Sequence, residues 1–296
     1  MSQKSAISRY PSPLRYPGGK GKISNFIKLL ILRNELENVR YVEPYAGGAS
    51  VALSLLFEGY VEKVLINDMN LGVYFFWKFL LEDEKSLCDR IMSTEVTVDE
   101  WRNQKKTYSD PSSSPEDLAF ATFFLNRTNR SGIVSGGGVI GGLSQEGKWK
   151  IDARYNKDAL CKRIKKVNSF RESIEVCNQD ALSLIRGLDQ EEGNSFLYLD
   201  PPYYVKGSQL YDNFYLHDDH LEISIALRNI GLPWVISYDA APEILDMYSF
   251  VRGIRYELSY SASKRSTGSE VMFFSPSIKI DGDMSPTQVS RSHLQG

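Results

Sequence analysis

Arg40-Tyr41-Val42-Glu43-Pro44-Tyr45-Ala46-Gly47-Gly48-Ala49-Ser50, followed after a short gap by Lys63-Val64-Leu65-Ile66-Asn67-Asp68, sets the class of fold. Residues 40–43 read as a short strand that stops at Pro44, because proline has no N–H to give a ladder. The glycine-bearing loop Pro44 to Gly48 leads into a helix from about Ala49 to Phe57. Lys63 to Asp68 is a second buried strand ending in an acid. Strand, glycine loop, helix, strand, acid is a βαβ unit.

On the N-terminal side, a polar start reads as an extended arm. It runs into Leu14-Arg15-Tyr16-Pro17-Gly18-Gly19-Lys20-Gly21-Lys22, then apolar residues at Ile23, Phe26, Ile27, Leu30 and Ile31. That spacing is helical, and a glycine-rich turn feeding a helix N-terminus is a natural anion site. On the other side, residues 70 to about 102 have a helical pattern. A polar loop follows, then a helix from Pro115 to about Asn126 with Ser114 as its N-cap. Arg127 to Lys150, with Gly136-Gly137-Gly138 and Gly141-Gly142, is read as a hairpin or mobile loop. After a helix from Lys157 to Phe170 the alternation resumes: strand 173–177, helix 181–188, strand 195–199, helix 217–229, strand 234–237. A short helix over 242–247 and strands near 254–260 and 270–274 close the series. Such alternation predicts an α/β domain with a mostly parallel sheet, interrupted by a helical and glycine-rich middle.

Composition agrees with a globular chain. The 296 residues are 42% hydrophobic and 24% charged, which excludes collagen-like, disordered and disulfide-scaffold classes. Cys88, Cys161 and Cys177 are odd in number and far apart, predicting a reducing compartment without disulfides. No apolar stretch follows Met1 and no run reaches the length of a membrane span, so a cytosolic protein without signal peptide is expected. The net charge of −2 is unevenly spread: Trp101 to Arg171 holds 14 Lys and Arg against 6 Asp and Glu. A basic middle in an acidic frame predicts that this segment meets a polyanion.

The chemistry is concentrated in Phe196-Leu197-Tyr198-Leu199-Asp200-Pro201-Pro202-Tyr203. An apolar strand delivers an acid, two prolines and an aromatic at its carboxyl end, where open α/β sheets bind ligands. A carboxylate and a carbonyl can accept the two protons of a planar NH₂ group while a ring stacks on the attached heterocycle. His217-Asp218-Asp219-His220 fits a helix start better than a metal pair, and no metal is expected. The spacings of a P-loop and of a Gly-x-Gly-x-x-Gly dinucleotide loop are both absent.

Asp200-Pro201-Pro202-Tyr203 resembles the catalytic motif of DNA amino-methyltransferases, and residues 13 to 276 resemble the Dam-like DNA adenine-N6 methyltransferase family. The motifs come in the family's order: residues 14–20, Val42 to Ser50, Asp68, Asn126-Arg127-Thr128-Asn129-Arg130-Ser131-Gly132, residues 200–203, and Ser237-Tyr238-Asp239. The resemblance implies a Rossmann-like S-adenosylmethionine-dependent catalytic domain over 1–70 and 172–278 and an inserted, mostly helical target-recognition subdomain over 71–171. The polar end, 279–296, is expected to be a disordered tail.

The resemblance further implies that Tyr16 (where the family usually has Trp) and Lys20 hold the methionine end of S-adenosylmethionine. Glu43, Pro44, Ala46, Gly47 and Gly48 pass beneath the cofactor, Asp68 takes its ribose and Asp180 its adenine. Asp200, Pro201, Pro202 and Tyr203 form the catalytic set, with Asp200 touching the cofactor amine as well as the target amine. The target in double-stranded DNA must be flipped out, and the face of Tyr203, rather than its hydroxyl, is expected to matter by stacking on it. Arg127 and Arg130 are expected at the bases and Asn129 at the DNA beside them, the alternative for Arg127 being a pairing with an acid inside the subdomain; Lys148, Lys150, Lys165 and Lys166 are expected at phosphates. Cognate restriction or defence proteins are candidate partners. Cytosine-N4 or RNA adenine methylation shares the amine chemistry, and a non-catalytic DNA-binding regulator could keep the fold. Cytosine-C5 methylation would need a cysteine nucleophile following a proline, and no such pair occurs.

Overall fold

The structure is a computed structural model and describes residues 11–15, 23–189, 194–205, 215–260, 266–280 and 285–294. The chain enters through helix α1 (Ser24–Arg33), strand β1 (Arg40–Glu43), α2 (Ser50–Phe57) and β2 (Lys63–Asn67). Five helices follow: α3 (Leu71–Glu82), α4 (Glu84–Ser93), α5 (Val98–Ser109), α6 (Pro115–Thr128) and α7 (Lys157–Asn168). The sheet resumes with β3 (Ile174–Cys177), α8 (Ala181–Leu188), β4 (Ser195–Leu199), α9 (His217–Asn229) and β5 (Trp234–Asp239). Helix α10 (Pro242–Met247) and strands β6 (Gly253–Tyr260) and β7 (Ser266–Phe274) complete it.

Seven strands form one sheet in the order β3-β2-β1-β4-β5-β7-β6. The first five are parallel, and β7 runs antiparallel to both β5 and β6. This is the Rossmann-like arrangement expected. Strand order reverses between β1 and β4, and ligands of open α/β sheets bind outside the carboxyl ends at that switch point. Val42 lies opposite Leu197 and Glu43 opposite Ile66, so the loops after β1, β2 and β4 open side by side.

The pleat sorts the core. Tyr41, Val64, Ile66, Phe196, Tyr198 and Val235 face one side, with α1, α2 and the inserted helices. Val42, Leu65, Leu197, Leu199 and Ile236 face the other, against α8, α9 and α10. Helices on both faces explain why these strands read as unbroken apolar runs. The insertion shares its apolar cluster with the first face, with Phe76 of α3 stacked on Phe123 of α6 at 5.7 Å.

Three local outcomes differ from the sequence reading. The helical stretch from 70 to 102 is three helices, capped at Asn70, Asp83 and Thr97, whose side chains accept from Val73, Ser86 and Glu100 N–H. Asp83 ends α3 and starts α4, because a short side chain that bonds the backbone competes with helix continuation. Ser114 does cap α6, accepting from Asp117 N–H. The glycine-rich segment is not a loose loop: it turns back antiparallel at its root through one bridge, Asn129 with Val139, and is pinned by the buried amides of Asn126 and Asn129. The tail also departs from expected disorder. Val289 is buried, its carbonyl accepts from Asn25 of α1, and residues Arg291–Leu294 form a turn against the same helix. A polar average concealed Ile278, Ile280, Val289 and Leu294, which cover apolar surface. All three cysteines are free thiols, and no helix among the described residues is long and apolar enough to cross a membrane.

Candidate active site

The loop after β1 is held from every side. Glu43 is buried, and its Oε1 accepts from Tyr41 OH at 3.1 Å and from Ala52 N–H at 2.8 Å in the first turn of α2. Burial pushes its carboxyl up to about 8, outweighing those two hydrogen bonds. Gly47 and Ala49 both take left-handed backbone, which carries the chain from strand to helix across the six residues 44–49. Asn67 donates to Pro44 O, Trp77 Nε1 donates to Gly47 O, and Gly47 N–H donates to Asp68 Oδ2, each at 2.9 Å.

Asp68 follows β2 as expected. Its Oδ1 accepts from Asn70 N–H, so both oxygens already hold one backbone donor. Burial nevertheless raises it to about 6. At the end of β3, Asn178 donates to Asp68 O, while Asp180 is exposed and caps α8 through Ser183 N–H. Asp68, Asp180 and the 43–48 loop therefore line neighbouring carboxyl ends. Tyr16 and Lys20 lie outside the described residues.

Asp200 ends β4 across the switch point. Its Oδ1 accepts from Ser237 Oγ at 3.2 Å, and that hydroxyl is bridged to Tyr198 OH at 2.9 Å. Asp239, two residues on in β5, accepts from Tyr204 N–H and Val205 N–H at 2.9 and 3.0 Å. Ser237-Tyr238-Asp239 is thus the support beneath Asp200-Pro201-Pro202-Tyr203. Tyr238 is turned away to His220, a core histidine whose burial lowers its pKa to about 4.

Tyr203 is a correction. The residue is only 6% exposed, and its hydroxyl is engaged, donating to Glu270 Oε1 at 2.7 Å. Tyr256 OH donates to the other oxygen, Oε2, at 2.7 Å. Glu270, Asn67 and Trp77 escaped sequence reasoning. The sequence signal for Glu270 is an acid at the head of the apolar run Val271-Met272-Phe273-Phe274.

Arg127 and Asn129 are corrected as well. Arg127 is 8% exposed and donates to Arg154 O and Pro13 O. Burial and the charges of Arg15, Arg163 and Arg154 lower its guanidinium to about 9. Asn129 is buried, accepting from Trp101 Nε1 and donating to Ile133 O and Val134 O. These side chains fold the segment and fasten the arm; the motif spacing could not distinguish that from base contact. Gly132 belongs to the same seam: its φ is +79°, and a Cβ there would lie 2.8 Å from Arg15 O.

Arg130, Lys148 and Lys150 are exposed as expected, although Lys150 also donates to Gln145 O. Arg130 and Lys148 line a groove of about 330 Å³ with Ile140, Gly141, Gly147 and Trp149. Trp149 is 61% exposed, with Lys148 and Arg154 within 6 Å of its ring centre at 5.8 and 5.9 Å. Lys165 and Lys166 are exposed in the last turn of α7 and do not line this groove. Lys166 lies over Phe57 and Phe170. Phe57 ends α2, which starts at the carboxyl end of β1, so Lys166 lies toward the opposite edge of the sheet from Asp200. Among the described residues no three His, Cys, Asp or Glu side chains converge on a metal position.

A Rossmann-like sheet with a cofactor-type loop after β1 and Asp-Pro-Pro-Tyr after β4 defines an S-adenosylmethionine-dependent methyltransferase. Residues 16–261 match the model of the D12 class N6 adenine-specific DNA methyltransferases, and the chain belongs to that family. It is 25% identical over 206 residues to the Type II methyltransferase M.MjaIII of Methanocaldococcus jannaschii, covering 64% of this chain and 68% of that one. Among solved structures it is similar to a Pyrococcus horikoshii protein assigned as an RNA methyltransferase, with a TM-score of 0.39 and 11% identity over 89% of this chain and 87% of that one. It is also similar to a SAM-dependent methyltransferase of Agrobacterium tumefaciens, with a TM-score of 0.38 and 9% identity over 86% and 62% of the two chains.

Proposed function

We propose that this adenine-specific DNA methyltransferase acts on double-stranded DNA, with the target adenine flipped out and methylated at N6 by direct displacement. The observation that carries this is Asp200-Pro201-Pro202-Tyr203, held by Ser237 and Asp239 beside the 43–48 loop at the switch point. Adenine N6 is a weak nucleophile because its lone pair is delocalised into the ring. Asp200 and the Pro201 carbonyl accept its two protons, favouring a pyramidal nitrogen with its lone pair free to attack. Rate then comes from positioning and electrostatics. The relative's Type II designation supports reading this chain as the modification half of a restriction–modification pair in the cytosol.

The site suits S-adenosylmethionine. Glu43 and Asp68 are acids whose charge burial disfavours, and a cationic ligand would offset that cost. Gly47 and Gly48 have no side chain to stand between the loop and a flat ligand. Bound there, the cofactor supplies an electrophilic methyl on a sulfonium. Asp68 would hold the ribose, Asp180 the adenine, and Tyr16 and Lys20 the methionine end.

A pH dependence follows. The folded pKa of Asp68 lies above its unfolded value, so its contribution to stability is present at low pH and lost as pH rises through about 6. Accepting ribose hydroxyls requires the ionised form. Cofactor affinity should therefore weaken about tenfold per unit as pH falls below about 6, and Asp68→Asn should flatten that slope. Calorimetric titration across pH 5 to 8 checks it, and an unchanged slope in the variant would remove Asp68 from the ribose.

DNA contact is assigned to the face bearing Arg130, Lys148, Trp149, Lys150 and Arg154. Arginine can contact guanine O6 and N7 bidentately, worth about 1–3 kcal/mol of discrimination. Incubating the protein with labelled S-adenosylmethionine and a random-sequence duplex library should yield N6-methyladenine within a defined sequence. Arg130→Ala should relax preference at particular bases. Lys148→Ala with Lys150→Ala should weaken all duplexes alike and reduce the salt slope. Lys165→Ala with Lys166→Ala should change neither. No methylated adenine would sink the activity, and a profile indifferent to every substitution on this face would move recognition elsewhere.

A further inference from the structure

Glu270 has a position that a core-filling residue would not need. It is 0% exposed, midway along β7, with Tyr256 of β6 and Asp239 of β5 directly opposite it in the two ladders. Burying a carboxylate is costly unless its oxygens are satisfied. Here Tyr203 OH and Tyr256 OH each donate to a different oxygen at 2.7 Å. An ionised carboxylate accepts and cannot donate, and bonds to it are roughly twice as strong as neutral ones. Stapling β6 to β7 would require only the Tyr256 contact or an apolar pair. The Tyr203 contact crosses from the edge hairpin to the loop after β4.

We propose that Glu270 is a positioning residue for methyl transfer, acting through the hydroxyl of Tyr203 to hold Asp200 and the Pro201 carbonyl in place. The inference rests on the proposed roles of those two groups. Residues 201 and 202 have their φ fixed by proline rings, so motion at Tyr203 is passed back along a stiff dipeptide to Asp200. Three acceptors and donors on the two adjoining strands then grip one loop. Ser237 holds Asp200, Asp239 holds the N–H groups of Tyr204 and Val205, and Glu270 holds the Tyr203 hydroxyl. The antiparallel edge of the sheet serves as the jig for the catalytic loop. Tyr203 therefore contributes through its hydroxyl, against the expectation that its ring face matters more.

Four variants separate this from a structural role: Glu270→Gln, Glu270→Ala, Tyr203→Phe and Tyr256→Phe. A displacement on the order of 1 Å at a reacting group can cost about 100-fold in rate. Glu270→Ala and Tyr203→Phe should each lower kcat by about that factor with KM for S-adenosylmethionine changed far less, and Glu270→Gln should lower kcat by less. Combining Glu270→Ala with Tyr203→Phe should add little further loss. Tyr256→Phe removes an equally buried hydroxyl from the same carboxylate, yet should retain kcat. Hydrogen exchange at the Tyr204 and Val205 amides should quicken in Tyr203→Phe and Glu270→Gln and stay slow in Tyr256→Phe. Exchange is read without turnover, so a wild-type protein that failed to methylate DNA would sink the activity while leaving this contact testable. Should Glu270→Ala not fold, the Gln and Phe variants decide alone. Wild-type kcat and exchange in Tyr203→Phe and Glu270→Gln, or equal losses in Tyr203→Phe and Tyr256→Phe, would overturn the proposal.

Discussion

Asp200→Ala is expected to lose methyl transfer by on the order of 10³-fold in kcat, the scale seen when one preorganised electrostatic partner is removed from a reacting centre. The side chain sits at the end of β4, and Ser237 Oγ orients one of its oxygens. Removing it leaves the target amine with one acceptor, the Pro201 carbonyl, and the lone pair stays delocalised. Duplex binding should persist, because the basic face that carries Arg130 and Lys148 is untouched. Single-turnover transfer of labelled methyl, alongside duplex affinity by fluorescence anisotropy, separates the two quantities. Wild-type turnover in the variant would show that Asp200 is not the amine acceptor.

Asn126→Ala should give the largest loss of stability. This side chain is 1% exposed and brackets Arg15 on both sides, accepting from its N–H at 2.7 Å and donating to its carbonyl at 2.6 Å. It also donates to Gly132 O at 2.9 Å. Each backbone group left unpaired in the interior costs about 1–3 kcal/mol, so a loss of about 3 kcal/mol is expected. In a chain of this size that lowers the midpoint of thermal unfolding by about 2–4 °C for each kcal/mol. The effect should be greater than for Arg15→Ala, which among the described residues removes the hydrogen bond from its guanidinium to Asn129 O and keeps the bracketed backbone. Calorimetry on both variants provides the comparison. A change within about 0.5 kcal/mol for Asn126→Ala, typical of a surface site, would show that the seam is not under this control.

Much of the architecture was legible because it follows from local rules. Strands covered by helices on both faces appear as apolar runs, glycine and proline mark the turns between them, and Ser114 announces the start of α6. Asp68 and Asp200 were readable for the same reason: each stands where its own strand ends, so chain position alone places it at the carboxyl edge of the sheet. The division of 70–102 into three helices was less legible. Asp83 is compatible with a helix interior, and its capping geometry emerges only once α4 turns against α7.

The sequence by itself determined the α/β class, the order of strands and loops around the site, and the place of Asp200 at the carboxyl end of its strand. These depend on neighbours in the chain. Tertiary structure alone decided what each polar side chain spends its hydrogen bonds on. Arg127 and Asn129 stand in a motif that reads as a DNA contact, yet burial leaves them no choice but to satisfy nearby carbonyls. Lys166 belongs to the basic middle of the chain, but the course of α2 and α7 sets it over the rings of Phe57 and Phe170. Glu270 was read as the first residue of the last strand. The strand begins at Ser266, and four further residues turn a presumed strand end into the centre of the hairpin. An acid at a strand end is solvated; the same acid between two paired strands must find donors, and Tyr203 and Tyr256 come from segments far apart in the chain.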